Sequence, residues 1–207
     1  MSIEEHSSKP DYPINPIILN RWSPRAMTGE ALSDSELFPL FEAARWAPSS
    51  YNNQPWRFLY VRRDTPHWDT LFGLLVDFNK EWCAKAAVLG LIFSRLTFEK
   101  NDKPCVTHAL DTGAAWENFS LEGMSRGLVV HGMQGFDYQK AKLLIPDGHE
   151  VHAMFAVGKK AKKETLSSEL QKREFPSSRN KISTFVFEGK VPQSWVYTTQ
   201  ASHKFNG

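Results

Sequence analysis

The chain has 207 residues, 41% of them hydrophobic and 13% aromatic, enough for one sizeable domain with a real core. Its formal net charge of +2 is too small for a nucleic-acid binder or a clamp for acidic substrates, so any anion site must come from local clustering of Arg and Lys. Residues 1–10 do not read as a signal peptide, and the longest apolar run, 84–93, is broken by Lys85 and far short of the roughly 20 residues that span a bilayer. Cys83 and Cys105 are the only cysteines and lack metal-ligand spacing, which predicts free thiols in a reducing, cytoplasmic setting.

Residues 11–27 carry Pro13, Pro16 and Pro24 and should be irregular. A helix then begins at a capping box, Ser33 with Glu36, stapled by Leu32 and Leu37, and presents Leu37, Leu40, Phe41 and Ala44 as one apolar stripe. Pro39 removes one ladder bond within it, and Pro48 ends it. Residues 56–62 read as a strand. Thr65 and Pro66 should open a helix with Trp68, Leu71, Phe72, Leu75 and Phe78 inward. Residues 86–94 look like a buried strand, and 108–126 like a long helix stopped by Gly127. A short strand at 128–131, a loop at 132–135, a short helix capped by Asp137, a strand at 151–157 and a last strand at 184–187 complete the pattern. The basic run 159–163 reads as solvent-facing. Irregular spacing, no internal repeat, and no GxGxxG after the first strand argue for an α+β fold: a central mixed or antiparallel sheet flanked by helices.

Three segments carry candidate chemistry. Arg21-Trp22-Ser23-Pro24-Arg25 offers two guanidiniums and a hydroxyl, suited to a phosphate, although alone it also reads as a solvated turn. Pro48-Ser49-Ser50-Tyr51-Asn52-Asn53-Gln54-Pro55-Trp56 is dense in amides and hydroxyls of the kind that read a heterocycle edge. Such side chains also serve simply to satisfy turn backbone. Around Gln134, the glycines Gly132 and Gly135 allow backbone to approach a flat ligand, and the lone His131 reads as structural. No metal-ligand cluster, Ser-His-Asp pattern or carboxylate pair is legible. An enzyme without its own acid–base machinery usually takes its chemistry from a cofactor.

Together these segments resemble the nitroreductase family, over roughly residues 20–187, most specifically through Pro48 to Trp56. The resemblance implies an intertwined homodimer of single FMN-binding sandwich domains, each spanning residues 1–207, with 1–15 as an N-terminal arm. The tail, 188–207, with Trp195, Tyr197 and Phe205, would pack on the partner chain. It implies that Arg21, Ser23 and Arg25 hold the phosphate and ribityl end of FMN, with Arg179 and Lys181 returning to the phosphate. Pro48, Ser49, Ser50 and Asn52 would line the flavin from the partner, with Gln54 supporting that loop and Asn79 at the pyrimidine edge. Gln134 and Gly135 would sit near the ring's N5, Gln134 replacing the family's usual Glu. No side chain is then catalytic in its own right: hydride passes from NADPH or NADH through the flavin to a small planar acceptor such as a quinone or nitroaromatic. The same frame also accommodates dehalogenation, enone reduction or flavin carriage without turnover.

Overall fold

The computed structural model describes residues 9–192. Its centre is a four-stranded, wholly antiparallel sheet in the order β1-β2-β4-β3, formed by β1 (Trp56–Arg62), β2 (Val88–Arg95), β3 (Leu128–Met133) and β4 (His149–Lys159). Side chains alternate across the strands and feed two cores, one on each face. On one face Trp56, Val88, Ile92, Val130, Phe155 and Val157 pack beneath helices α2 (Asp34–Arg45) and α5 (His108–Ser125). The other face is covered by shorter helices: α3 (Trp68–Phe72), α4 (Asp77–Cys83), α6 (Tyr138–Lys142) and α7 (Ser168–Gln171). Leu89, Leu91, Val129, Met133, Met154 and Ala156 point into that layer.

The α2 and α5 layer is tight because α5 brings a glycine to its closest approach. A Cβ on Gly123 would lie 2.3 Å from Val130 Cγ2, so the missing side chain lets helix and sheet touch. One turn earlier the fully buried Phe119 ring meets Phe41, Phe58 and Phe155 at centroid distances of 5.1–5.8 Å. Helix α5 stops at Arg126, and Gly127 follows at φ +75°, the left-handed position that releases the chain into β3. At the start of α2 the Glu36 carboxylate accepts both the main-chain N–H and the hydroxyl of Ser33, while Leu32 and Leu37 are buried together. The helix runs on through Pro39.

Several expectations need correction. The helix foreseen from Pro66 to Phe78 is two: α3 ends at Phe72, a bend follows, and Phe78 in α4 is exposed, with Arg173 over its ring. The break leaves Leu74 and Leu75 free to line residues 136–137, through a bridge from Leu75 to Phe136 and a bond from Asp137 N–H to the Leu74 carbonyl. Residues 184–187 form no strand; a 3-10 turn, Ile182–Thr184, ends there, and the apolar Phe185 and Val186 that follow it are exposed. Strand β3 extends through Gly132 to Met133, because Gly132 continues the ladder opposite Phe155 beneath the Trp116 ring. Residues 11–27 include a short helix, α1 (Pro16–Asn20), capped by Asn15. In the basic run, Lys159 pairs with Glu30 and Glu36. The aromatic tail residues Trp195, Tyr197 and Phe205 lie outside the described residues.

Candidate functional site

The Arg21–Arg25 motif lies along the edge strand β3. His131, on β3, is buried, with Nδ1 2.9 Å from the Pro24 carbonyl oxygen. A carbonyl can only accept, so Nδ1 carries the proton and Nε2 is left unprotonated. Burial drives the imidazole to about 4 against two opposing main-chain hydrogen bonds, so the ring is neutral near pH 7. This fixes Pro24, and with it the side chains on either side. Arg21 reaches Ser23 Oγ at 3.4 Å and, through Nε, Glu117 on α5 at 3.6 Å. Arg25 spends Nη1 on the Arg173 carbonyl and the Glu174 carboxylate, at 3.4 and 3.9 Å. Its Nε–H is buried without an acceptor. Burial lowers the guanidinium's affinity for its proton and Glu174 restores part of it; the group stays charged.

The loop from Pro48 to Trp56 is strained. Tyr51, Asn52 and Gln54 all have positive φ, between 48° and 55°, a region most side chains avoid. Hydrogen bonds hold it there. Ser49 Oγ accepts the Gln54 N–H, Gln54 Nε2 donates to the Asn52 carbonyl, and Asp111 at the start of α5 accepts the Ser50 N–H and the Thr107 hydroxyl. Asn53 ties the loop to residues 97 and 99 by one bond from its amide nitrogen and one to its oxygen. Pro48, Tyr51 and Asn52 are exposed, Tyr51 to 94%. The loop enters β1, at the sheet edge opposite β3. Both segments reach helix α5, the loop at Asp111 and the Arg21 side chain at Glu117, six residues on and so about 9 Å along the helix.

Gln134 and Gly135 leave β3 beside that segment. The Gly135 carbonyl accepts the Val76 N–H at 3.1 Å and the Asn79 amide at 3.0 Å, and Asn79 Oδ1 in turn accepts the Trp82 indole N–H. The Trp82 ring lies 4.5 Å from the His131 ring. A continuous line of contacts thus runs from Pro24 through His131, Trp82 and Asn79 to Gly135. A Cβ on Gly135 would fall 2.6 Å from Asn79 Nδ2, so only glycine allows this approach. Gln134 itself is exposed. Asn79 is 8% exposed with its amide turned onto Gly135, which makes it a brace for the loop in this structure.

The late basic segment comes back to the early one. The Glu174 carboxylate accepts the main-chain N–H groups of Arg25, at 2.8 and 3.1 Å, and of Ala26, at 3.0 Å; the Ile182 N–H donates to Asp11. Arg179 folds onto Ser177 and Ser178, and Lys181 is exposed at the start of the 3-10 turn. Sequence reading missed Glu174, Glu117 and Asp111. Each reaches a segment far away in the chain, and none has a local pattern; a lone acid among scattered charges offers no signal.

Sequence reading also missed Ser94, whose Oγ lies 2.8 Å from His108 Nδ1 and 2.7 Å from His152 Nε2, with Glu150 3.5 Å from His108 Nε2. The grouping looks like a hydrolytic triad and is not one. Ser94 has no accessible surface, and a second imidazole shares its hydroxyl. It pins the start of α5, next to Asp111. Among the described residues no set of three His, Cys, Asp or Glu side chains is placed to hold a metal ion, and no helix is long and apolar enough to cross a membrane.

Residues 18–67, spanning both motifs, match the model of the nitroreductase family. An oxidoreductase crystal structure containing FMN is 38% identical, with a TM-score of 0.83 over 89% of this chain and 96% of that one. A protein of Desulfovibrio desulfuricans solved in complex with FMN is 27% identical, with a TM-score of 0.67 over 87% of this chain and all of the other. An uncharacterized 15.4 kDa protein in the ask 5′ region of Mycolicibacterium smegmatis is 33% identical over 123 residues, 58% of this chain and 82% of its own.

Proposed function

Since the chain belongs to the nitroreductase family, we propose that it is a homodimeric, FMN-dependent oxidoreductase taking hydride from NADPH or NADH and delivering it to a planar, electron-poor acceptor. The observation that carries this reading is Arg25: a charged guanidinium, anchored through Nη1 only, with a buried Nε–H lacking an acceptor. A buried donor left unpaired costs about 1–3 kcal/mol, which a bound anion nearby helps to recover. The FMN found in the 38% identical oxidoreductase is the ligand such a segment suits. The absence of a GxGxxG turn speaks against a pyrophosphate.

Arg21, Ser23 and Arg25 are assigned to the phosphate and ribityl end, with Arg179 and Lys181 closing over it. Gly135, packed against Asn79 and Val76, and the exposed Gln134 beside it are assigned to the reactive face of the ring. Bound FMN supplies the hydride chemistry at its ring N5. The protein's own contribution is to hold the donor and then the acceptor against one face and to exclude water. Pro48, Ser49, Ser50 and Asn52, with Gln54 behind them, are assigned to the site of the partner chain. The exposed apolar side chains Ile18, Tyr51, Val106 and Leu110, which a monomer would leave in water, support that assignment. The buried free thiols Cys83 and Cys105 fit a reducing, cytoplasmic location.

Kinetics test the reading. With NADPH or NADH and a quinone or nitroaromatic, initial rates at several fixed acceptor concentrations should give parallel double-reciprocal lines, because both substrates use one pocket in turn. Intersecting lines would reject the shared pocket. No oxidation of either nicotinamide, with flavin still bound, would favour a flavin carrier.

A further inference from the structure

The carboxylate of Glu174 sits where an anion-binding segment would be expected to keep its donors free. Its side chain is only 4% exposed. It takes the main-chain N–H groups of Arg25 and Ala26 and stands 3.9 Å from the Arg25 guanidinium. A buried carboxylate with these partners is held firmly. It is also a fixed negative charge beside the cations assigned to the cofactor phosphate, and it joins residues 173–181 to residues 21–26. Oε1 by itself accepts both main-chain donors, at 2.8 and 3.0 Å, so a neutral amide oxygen keeps those two bonds, giving up the second contact of Oε2 with the Arg25 N–H at 3.1 Å and its pairing with the guanidinium.

We propose that Glu174 is a positioning residue that also tunes the site: it clamps the Arg25–Ala26 backbone into place while holding back part of the Arg25 charge, and so limits how tightly the site grips a phosphate-bearing flavin. The proposal rests on the assignment of Arg21, Ser23 and Arg25 to the FMN phosphate. Its consequence is a cofactor site set below the affinity its cations would otherwise give. Like charges repel across this distance even with strong screening; at about 10 Å and an effective dielectric constant of about 20–40, removing one negative charge strengthens binding of an anion by about fourfold to fifteenfold.

The test compares Glu174→Gln and Glu174→Ala with the unaltered protein, titrating apo-protein with FMN and with riboflavin, which lacks the phosphate. E174Q keeps the backbone clamp and loses the charge. It should bind FMN about fourfold to fifteenfold more tightly, with riboflavin affinity unchanged, so the ratio of the two affinities rises. E174A loses the clamp as well and should bind both flavins more weakly, with lower thermal stability. An E174Q protein whose affinities for FMN and riboflavin fall together, or whose ratio stays at the original value, overturns the proposal and leaves Glu174 a structural clamp. The unaltered protein reports separately on the underlying assignment: no preference for FMN over riboflavin there would reject the phosphate site itself.

Discussion

The Nδ1–H of His131 on β3 donates to the carbonyl of Pro24, 107 positions earlier, and this bond fixes the turn that carries Arg21, Ser23 and Arg25. Its imidazole is charged only with difficulty: burial lowers its value from 6.5 to about 4. The unfolded chain therefore binds the proton first. Stability should be at its full value above about pH 6.5, fall as the pH drops below it, and stop falling from this cause below about 4. The group's share is on the order of 3 kcal/mol. Urea unfolding of the unaltered protein and of His131→Gln at about pH 7.5 and about pH 4.5 checks this. The unaltered protein should lose more stability than the variant over that interval; equal losses would contradict a buried, neutral His131.

Arg21→Ala should weaken FMN binding by roughly 1.5–3 kcal/mol, tenfold to a hundredfold, through loss of a charge-assisted bond. It should leave folding almost untouched, because the partner carboxylate of Glu117 is half exposed and such pairs are worth little. Arg25→Ala should weaken FMN binding similarly and also lower thermal stability, since it leaves the buried Glu174 carboxylate without its cation. Fluorescence titration and thermal melts on both variants separate the two effects. Full flavin retention in both would remove these arginines from the site.

Asn52 holds φ at 55° in a loop whose neighbours are equally constrained. Asn52→Gly adopts that angle without steric cost, so stability should change by no more than about 1 kcal/mol. Flavin affinity should nevertheless drop, because the side-chain amide assigned to the partner's flavin is gone. A variant with unaltered flavin affinity would show that the loop's amides serve only its own backbone.

Gly123→Ala places a Cβ 2.3 Å from Val130 Cγ2 and 3.1 Å from Leu40 Cδ2. Helix α5 must then move off the sheet, at about 1–3 kcal/mol. A melting temperature lowered by several degrees is expected, and one within a degree of the unaltered protein would show that the α5 contact is looser than described.

How much of this was legible in the sequence follows from how local each signal is. The start of α2 at Ser33, the bounds of β1, the end of α5 at Gly127 and the Asp137 cap all rest on residues within a turn of each other, and they appear where the pattern puts them. The split between α3 and α4 was not legible, because its cause is the pairing of Leu75 with the distant Phe136. The strand expected at residues 184–187 does not form for a related reason: a short β-prone run has no periodicity of its own, and none of the four strands pairs with it. The candidate site divides in the same way. Its two motifs, at 21–25 and 48–56, announce themselves by composition. Its braces, Glu174, Asp111 and Asn79, act at a distance and become visible only once the chain is folded.

The central claim, that this chain binds FMN at a site shared between two copies, is tested most directly by the cofactor and mass of the purified protein measured together. Heat release and chromatography should yield FMN in a ratio of one per chain, and sedimentation at micromolar concentration should give a flavin-loaded dimer. Recovery of FAD, a colourless protein that cannot be reconstituted with FMN, or a flavin-loaded monomer would contradict it.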